Sequence, residues 1–218
     1  TLAHPNLCGF GKALLEAVLA GEIRELVLVN CCDTIRSVCD LLEAEGELDF
    51  LYLLDVLRSD GCCSRQRLAG QLKELARAYG DYRGTAFDGT AFRAAFQPQA
   101  PEAGPYLAVL GARVGEELFR MAAEAMPLPL RNYSCVGNRS AGRELPPEDL
   151  DFDGLMDWYA GVLLGQLPCM RMADNTGRRQ LLQDPNLRGV VYHTVKFCDF
   201  YGFEYAQLRQ QDDWPILK

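Results

Sequence analysis

The chain has 218 residues, 49% of them hydrophobic, and a formal charge of −8 from 22 Lys and Arg against 30 Asp and Glu. That is enough chain for one large or two small cores, and no apolar run approaches the ~20 residues of a membrane span. The acidic balance excludes broad electrostatic binding to nucleic acid, which needs a basic footprint; Arg178-Arg179 and Arg139 with Arg143 are local basic spots near candidate site loops, able to hold a phosphate.

The first element is amphipathic. Asn6-Leu7-Cys8-Gly9-Phe10-Gly11 leads into a helix from Lys12 to Leu19, with Leu14, Leu15, Val18 and Leu19 at helical spacing. Cys8 therefore stands at or just before a helix N-terminus, where the partial positive charge and open N–H groups favour a thiolate. Leu26 to Val29 is a short continuous apolar run, the pattern of a buried parallel strand, and it ends at Asn30-Cys31-Cys32-Asp33. Thr34 to Leu42 reads as a helix with Ile35, Val38, Cys39 and Leu42 on one face and Asp33 available as its cap. Cys39 on that stripe is core, Cys31 packs, and Cys32, directly before the cap, is the better ligand.

A second strand is expected over Phe50–Leu54. The turn Asp60 to Ser64 follows, then a helix from Ser64 to about Tyr79. Cys62 and Cys63 at that junction read as thiols that either support the site from behind its ligands or are simply structural and buried. Thr85 to Phe96 is a half-apolar helix, and residues 98–105, rich in Pro and Gly, form a linker. The βα rhythm then restarts: a strand over Tyr106–Leu110, a turn at Gly111-Ala112, and a helix Val114–Ala125 with Leu118, Phe119 and Ala122 inward. Asn132 to Arg139 is a third strand end carrying Cys135. The helix Phe152–Leu164 buries Leu155, Trp158, Tyr159, Val162 and Leu163, and Leu167-Pro168-Cys169 comes next. After a short helix over Asn175–Leu182, the β-rich run Val190-Val191-Tyr192 delivers Phe197-Cys198-Asp199 to another strand end. A short helix Phe203–Gln210 and a strand around Trp214–Leu217 finish the chain. Repeated βα units with apolar strands imply an α/β protein, its parallel sheets flanked by helices, in two domains, 1–97 and 106–218.

Nine cysteines is an odd number and a high usage, and no secretory signal is visible. Reduced thiols and a cytoplasmic location follow, and the cysteines read as metal-binding or redox groups rather than a disulfide framework. Cys8, Cys32, Cys135, Cys169 and Cys198 all fall on loops. The carboxyl ends of parallel strands point one way, so Cys8, Cys32 and Cys198 can share one site. Thiolates suit zinc and iron–sulfur clusters, and the absence of any C-x-x-C pair argues against zinc. With only His4 and His193 there is little material for a Cys–His nucleophile; His193 is read as a hydrogen-bonded wall residue. Gly9-Phe10-Gly11 lacks the rest of a dinucleotide fingerprint.

In order along nearly the whole chain, Asn6-Leu-Cys8-Gly, Asn30-Cys-Cys32-Asp with Thr34-Ile-Arg, Cys135-Val-Gly-Asn-Arg139, Leu167-Pro-Cys169, Gly189-Val-Val and Lys196-Phe-Cys198-Asp resemble the 2-hydroxyacyl-CoA dehydratase D-component family. That family includes benzoyl-CoA reductase-type and double-cubane-cluster reductases. The resemblance implies flavodoxin-like domains and a [4Fe-4S] cluster held by three cysteines per subunit, which map onto Cys8, Cys32 and Cys198. It also implies a homologous partner subunit, a CoA thioester substrate, and an ATP-dependent activator that injects one electron to form a ketyl radical on the thioester carbonyl. A double-cubane [8Fe-9S] relative would add Cys135 and Cys169 as ligands, although its motif carries a Cys where this chain has Gly111-Ala112. The family's leading segment is expected before Thr1, so the first domain is expected to be truncated. A non-catalytic cluster-binding scaffold, or a plain α/β domain with buried thiols, are the other readings of the same residues.

Overall fold

The computed structural model describes residues 4–96, 103–135, 145–211 and 215–218. Expectations that fall on Arg139, Arg143, the 136–139 part of the Cys135 motif, positions 98–102 of the linker and Trp214 lie outside them.

In chain order the elements are α1 (Gly9–Leu19), β1 (Glu25–Val29), α2 (Asp33–Glu45), β2 (Phe50–Leu54), α3 (Cys62–Arg83), α4 (Gly89–Ala94), β3 (Tyr106–Gly111), α5 (Glu116–Ala125), β4 (Leu130–Asn132), α6 (Phe152–Leu164), α7 (Thr176–Leu182), β5 (Leu187–His193), α8 (Asp199–Gln211) and β6 (Ile216–Leu217). All strand pairs among the described residues are parallel. The chain is α/β, with helices flanking parallel sheets. It divides into two units, Thr1–Pro98 with Ala141–Gly165, and Gln99–Ser140 with Gln166–Lys218.

In the first unit β1 and β2 form a two-stranded sheet. Alternation decides which side chain faces which helix layer. Leu26, Leu28, Leu51 and Leu53 pack against α1 and α2 through Leu14, Leu15, Ile35, Val38 and Leu42. On the other face Tyr52 and Leu54 meet α3 and α6 through Leu68, Leu72, Leu155 and Met156. The apolar run of β1 predicts burial on both faces, and here the structure differs. Val27 and Val29 are 45% and 39% exposed: among the described residues β1 is an edge strand, and α3 meets this face at Glu25, which accepts from Tyr79, Tyr82 and Arg83, leaving Val27 beside an open cleft that Leu72, Ala76 and Tyr79 also line. The helix α6 falls within the second domain as read from sequence, 106–218, yet its core residues belong to the first unit. Asp151 caps it by accepting from Gly154 N at 2.8 Å, and Lys73 on α3 pairs with its Asp153 and Asp157 at 3.2 and 3.6 Å.

In the second unit the strand order is β4-β3-β5-β6. Counted within the unit this is the 2-1-3-4 order of a flavodoxin-like sheet, in which the chain leaves the central strand in opposite directions. The core is Tyr106, Ala108, Leu110, Leu187, Val190 and Tyr192 from β3 and β5, closed by Tyr201 and Leu208 of α8. Two helices depart from expectation. Leu118 of α5 points outward, 49% exposed, and Phe119 and Ala122 are only half-buried. The last helix begins at Asp199, four residues before the predicted Phe203, so Cys198 immediately precedes it.

Candidate functional site

Two sheet edges carry the predicted thiols. In the first unit Cys8 occupies the N-cap of α1, its sulfur accepting from Gly11 N at 3.4 Å. Cys32 holds the N-cap position of α2, so the expected cap, Asp33, is instead the first helical residue and contributes its charge to the first turn. The two helix starts are neighbours. A Cβ on Gly11 would stand 3.0 Å from the Thr34 methyl, and small residues there let α1 and α2 close on each other. The structure thus brings Cys8, buried, and Cys32, half-buried, to the same end of the first unit, beyond the carboxyl end of β1. The Asn30 side chain after β1 donates to Asp55 Oδ1 after β2 at 3.0 Å, and Arg67 holds the other oxygen at 2.7 Å. Cys31, read as packing, is exposed, whereas Cys39 is core as expected, and burial raises its thiol pKa with Glu43 and Asp40 adding to the shift.

In the second unit the loops after β3, β4 and β5 are laced together at the switch point of the sheet. Ala112 N donates to His193 O at 2.9 Å, Cys135 N donates to Gly111 O at 3.1 Å, and His193 Nδ1 lies 3.3 Å from Ala112 O. His193 is the hydrogen-bonded wall residue its position suggests. Gly111 has φ +97°, and a Cβ there would meet His193 O at 2.2 Å; only glycine permits this approach of β3 to β5. Cys135 is seated by the turn after β4, where Asn132 Oδ1 accepts from Ser134 N at 3.1 Å and from Ser134 Oγ at 2.7 Å. Cys198 N donates to Val195 O at 3.0 Å, and its own carbonyl accepts from Gly202 N in the first turn of α8. The residue before it, Phe197, is the non-glycine residue with positive φ, +64°, among the described residues, a conformation that costs a bulky side chain about 1–3 kcal/mol.

Sequence reasoning missed what lies beneath these thiols. Cys135, Cys169 and Cys198 all pack against the buried cluster of Tyr192 and Tyr201, and Cys169 Sγ is 3.3 Å from the Tyr201 hydroxyl. Burial, with Cys169 and Cys135 as further causes, drives the Tyr201 pKa far up, so its hydroxyl keeps its proton. Tyr192 donates to Glu204 Oε2 at 2.5 Å, and Glu204 Oε1 takes Arg178 Nε at 2.6 Å and its Nη2 as an ion pair. Arg178 Nη1 donates to Pro168 O at 3.3 Å, the carbonyl next to Cys169. Arg178 is therefore buried inside a charge pair, and the expected phosphate spot at Arg178-Arg179 is withdrawn. Arg179 is turned to Thr176 Oγ1 at 3.0 Å. No motif announces such a network; the signal available was a Glu six residues after Cys198 on a face that is otherwise apolar.

Over residues 97–218, more than half of the chain, the sequence matches the model of the 2-hydroxyglutaryl-CoA dehydratase D-component family. The chain belongs to this family. Cys135, Cys169 and Cys198 fall inside the matched D-component region, and Cys8 and Cys32 precede it. Membership makes the chain a dehydratase-type subunit of the 2-hydroxyacyl-CoA class at family level. No curated protein matches it. Among the described residues no group of three or more His, Cys, Asp or Glu side chains is gathered so as to hold a metal ion. The sulfurs of Cys8, Cys32 and Cys198 nonetheless have the donor chemistry that an iron–sulfur cluster would need: soft ligands set before helix N-termini, whose N–H dipoles favour negative charge. No helix of the described residues is long and apolar enough to cross a membrane.

Proposed function

We propose that this D-component chain is an iron–sulfur cluster-binding subunit of a 2-hydroxyacyl-CoA dehydratase-like enzyme, with Cys8, Cys32 and Cys198 as thiolate ligands of a [4Fe-4S] cluster. The reading is supported above all by the shared setting of those three thiols, each immediately before a helix beside the carboxyl edge of a parallel sheet. A bound cluster supplies a low-potential electron for one-electron reduction of the CoA thioester carbonyl. The chain's part is to bind and orient. The laced loops at Ala112 and His193 fix the floor of the second-unit edge, and Tyr201 and the Arg178–Glu204 pair hold the Cys169 loop against the core. A homologous subunit and an ATP-dependent activator protein complete the system, in the cytoplasm.

A second reading is favoured by one observation. Cys135 and Cys169 share the Tyr192–Tyr201 cluster with Cys198, so a double-cubane [8Fe-9S] centre would recruit them as additional ligands. Anaerobic purification from cells that supply iron, followed by iron and sulfide analysis, separates the readings. A single cubane gives about four iron and about four sulfide per chain, and a double cubane about twice that. Cys8→Ser, Cys32→Ser and Cys198→Ser each abolish the brown colour in either case, whereas Cys135→Ser and Cys169→Ser do so only for the double centre. Colourless, iron-free protein from a strictly anaerobic preparation sinks both.

A further inference from the structure

Besides the thiols assigned above, Cys62 and Cys63 open the 22-residue helix α3, directly after Gly61. Their sequence position suggests thiols that support the site or are buried and structural, yet both are exposed. Adjacent helical residues do not normally face each other, but here the two sulfur atoms stand 3.9 Å apart. Bonds of about 2.3 Å from a tetrahedral metal ion to two thiolates put the sulfurs about 3.8 Å apart. The pair is thus already at the bite of a chelate, whereas a linear two-coordinate ion would need the sulfurs farther apart.

The helix start beside them is uncapped. Gly61 provides no side-chain cap and the first turn of α3 contains no acidic residue, so the open N–H groups of that turn present their positive end to the thiols. The nearest guanidinium in sequence, Arg65, is committed elsewhere, donating from Nε to the Asp157 carbonyl at 3.1 Å. Solvent reaches both sulfurs, so water is at hand for the remaining positions of an ion held there.

We propose that Cys62 and Cys63 form a two-thiolate chelate for a thiophilic divalent cation of the zinc and cadmium class, made of residues other than the proposed cluster ligands. Binding replaces two S–H bonds by two metal–sulfur bonds and releases two protons, with no change of oxidation state, so affinity rises with pH.

The probe is Cd²⁺ alone, titrated into the reduced, metal-free full chain carrying Cys8→Ser, Cys32→Ser and Cys198→Ser, with the cadmium–thiolate charge-transfer band as the readout. One equivalent saturates the band. Adding Cys62→Ser or Cys63→Ser weakens Cd²⁺ binding by at least about tenfold, equivalent to about 1.4 kcal/mol. Unchanged affinity in both variants overturns the proposal. Because a serine variant can change folding, phenylarsine oxide on the unmutated chain is the second measurement. It bridges two thiols with loss of one water, and peptide mass mapping is expected to find the adduct on the 62–63 pair; an adduct only on other cysteines also overturns it.

Discussion

Glu204 is the residue on which the second-unit edge turns. It follows Cys198 on α8, accepts from Tyr192 and pairs with Arg178, whose third contact is the carbonyl preceding Cys169. One buried carboxylate thereby fixes both sulfur-bearing segments relative to β5. Removing one member of a buried pair strands the other charge, which costs about 3–5 kcal/mol, whereas replacing both by apolar groups is often close to neutral. Glu204→Gln is therefore expected to lower the urea midpoint steeply and to speed alkylation of Cys169, since the anchor on Pro168 O goes with it. Arg178→Met with Glu204→Met together is expected to recover much of the stability but not the slow alkylation. Equal stability of single and double variants would show that the pair's charge is not what matters. None of this was legible in the sequence, where Arg178 reads as a surface cation beside Arg179; which of two adjacent arginines is buried depends on a partner 26 residues away.

At the scale of elements, the sequence was most informative where periodicity and chemistry agree. The helix Phe152–Leu164 has the limits its apolar stripe predicts, although of the residues expected inward only Leu155 is buried, with Met156 and Ala160, while Trp158, Tyr159, Val162 and Leu163 are half-buried. The strands β2, β3 and β5 follow their β-rich apolar runs. Errors arise where a residue's neighbours, not its own type, decide. Phe203 was a natural helix start after Gly202, but the chain turns earlier, through the positive φ of Phe197, and α8 begins at Asp199. The apolar run of β1 reads as buried on both faces, yet burial requires close packing: the face of Leu26 and Leu28 is packed against α1 and α2, while on the other α3 is tied to Glu25 and leaves Val27 beside an open cleft. The two faces of β1 should therefore respond differently to mutation. Leu28→Ala removes a buried side chain and is expected to cost about 2–5 kcal/mol, while Val27→Thr on the exposed face stays within about 0.5 kcal/mol. Paired urea unfolding curves check this, and a large loss from Val27→Thr would mean that face is covered in solution.

For the whole molecule, the chain's path matters more than its element list. The thiols could be assigned to loops from sequence because strand ends are marked by turn residues, and the family resemblance located them in order; how the polypeptide is shared between units was not marked by any linker. Residues 98–105 look like a simple boundary, but α6, which follows the second-unit strand β4, supplies Leu155, Met156 and Ala160 to the first-unit core. Leu155 is 1% exposed there. A first unit made from residues before the linker alone would leave Leu54, Leu68 and Leu72 without that cover. Leu155→Ala in the full chain tests the consequence. Its cavity is expected to cost about 2–5 kcal/mol, and the loss should be local, because the core of Tyr106, Leu187 and Tyr192 contains no α6 residue. Hydrogen exchange read peptide by peptide is expected to show faster exchange in β2 and α3 with β3 and β5 unchanged. Equal loss of protection in β3 and β5 would instead make the two cores one cooperative body, with the cysteines of both edges gaining or losing their settings together.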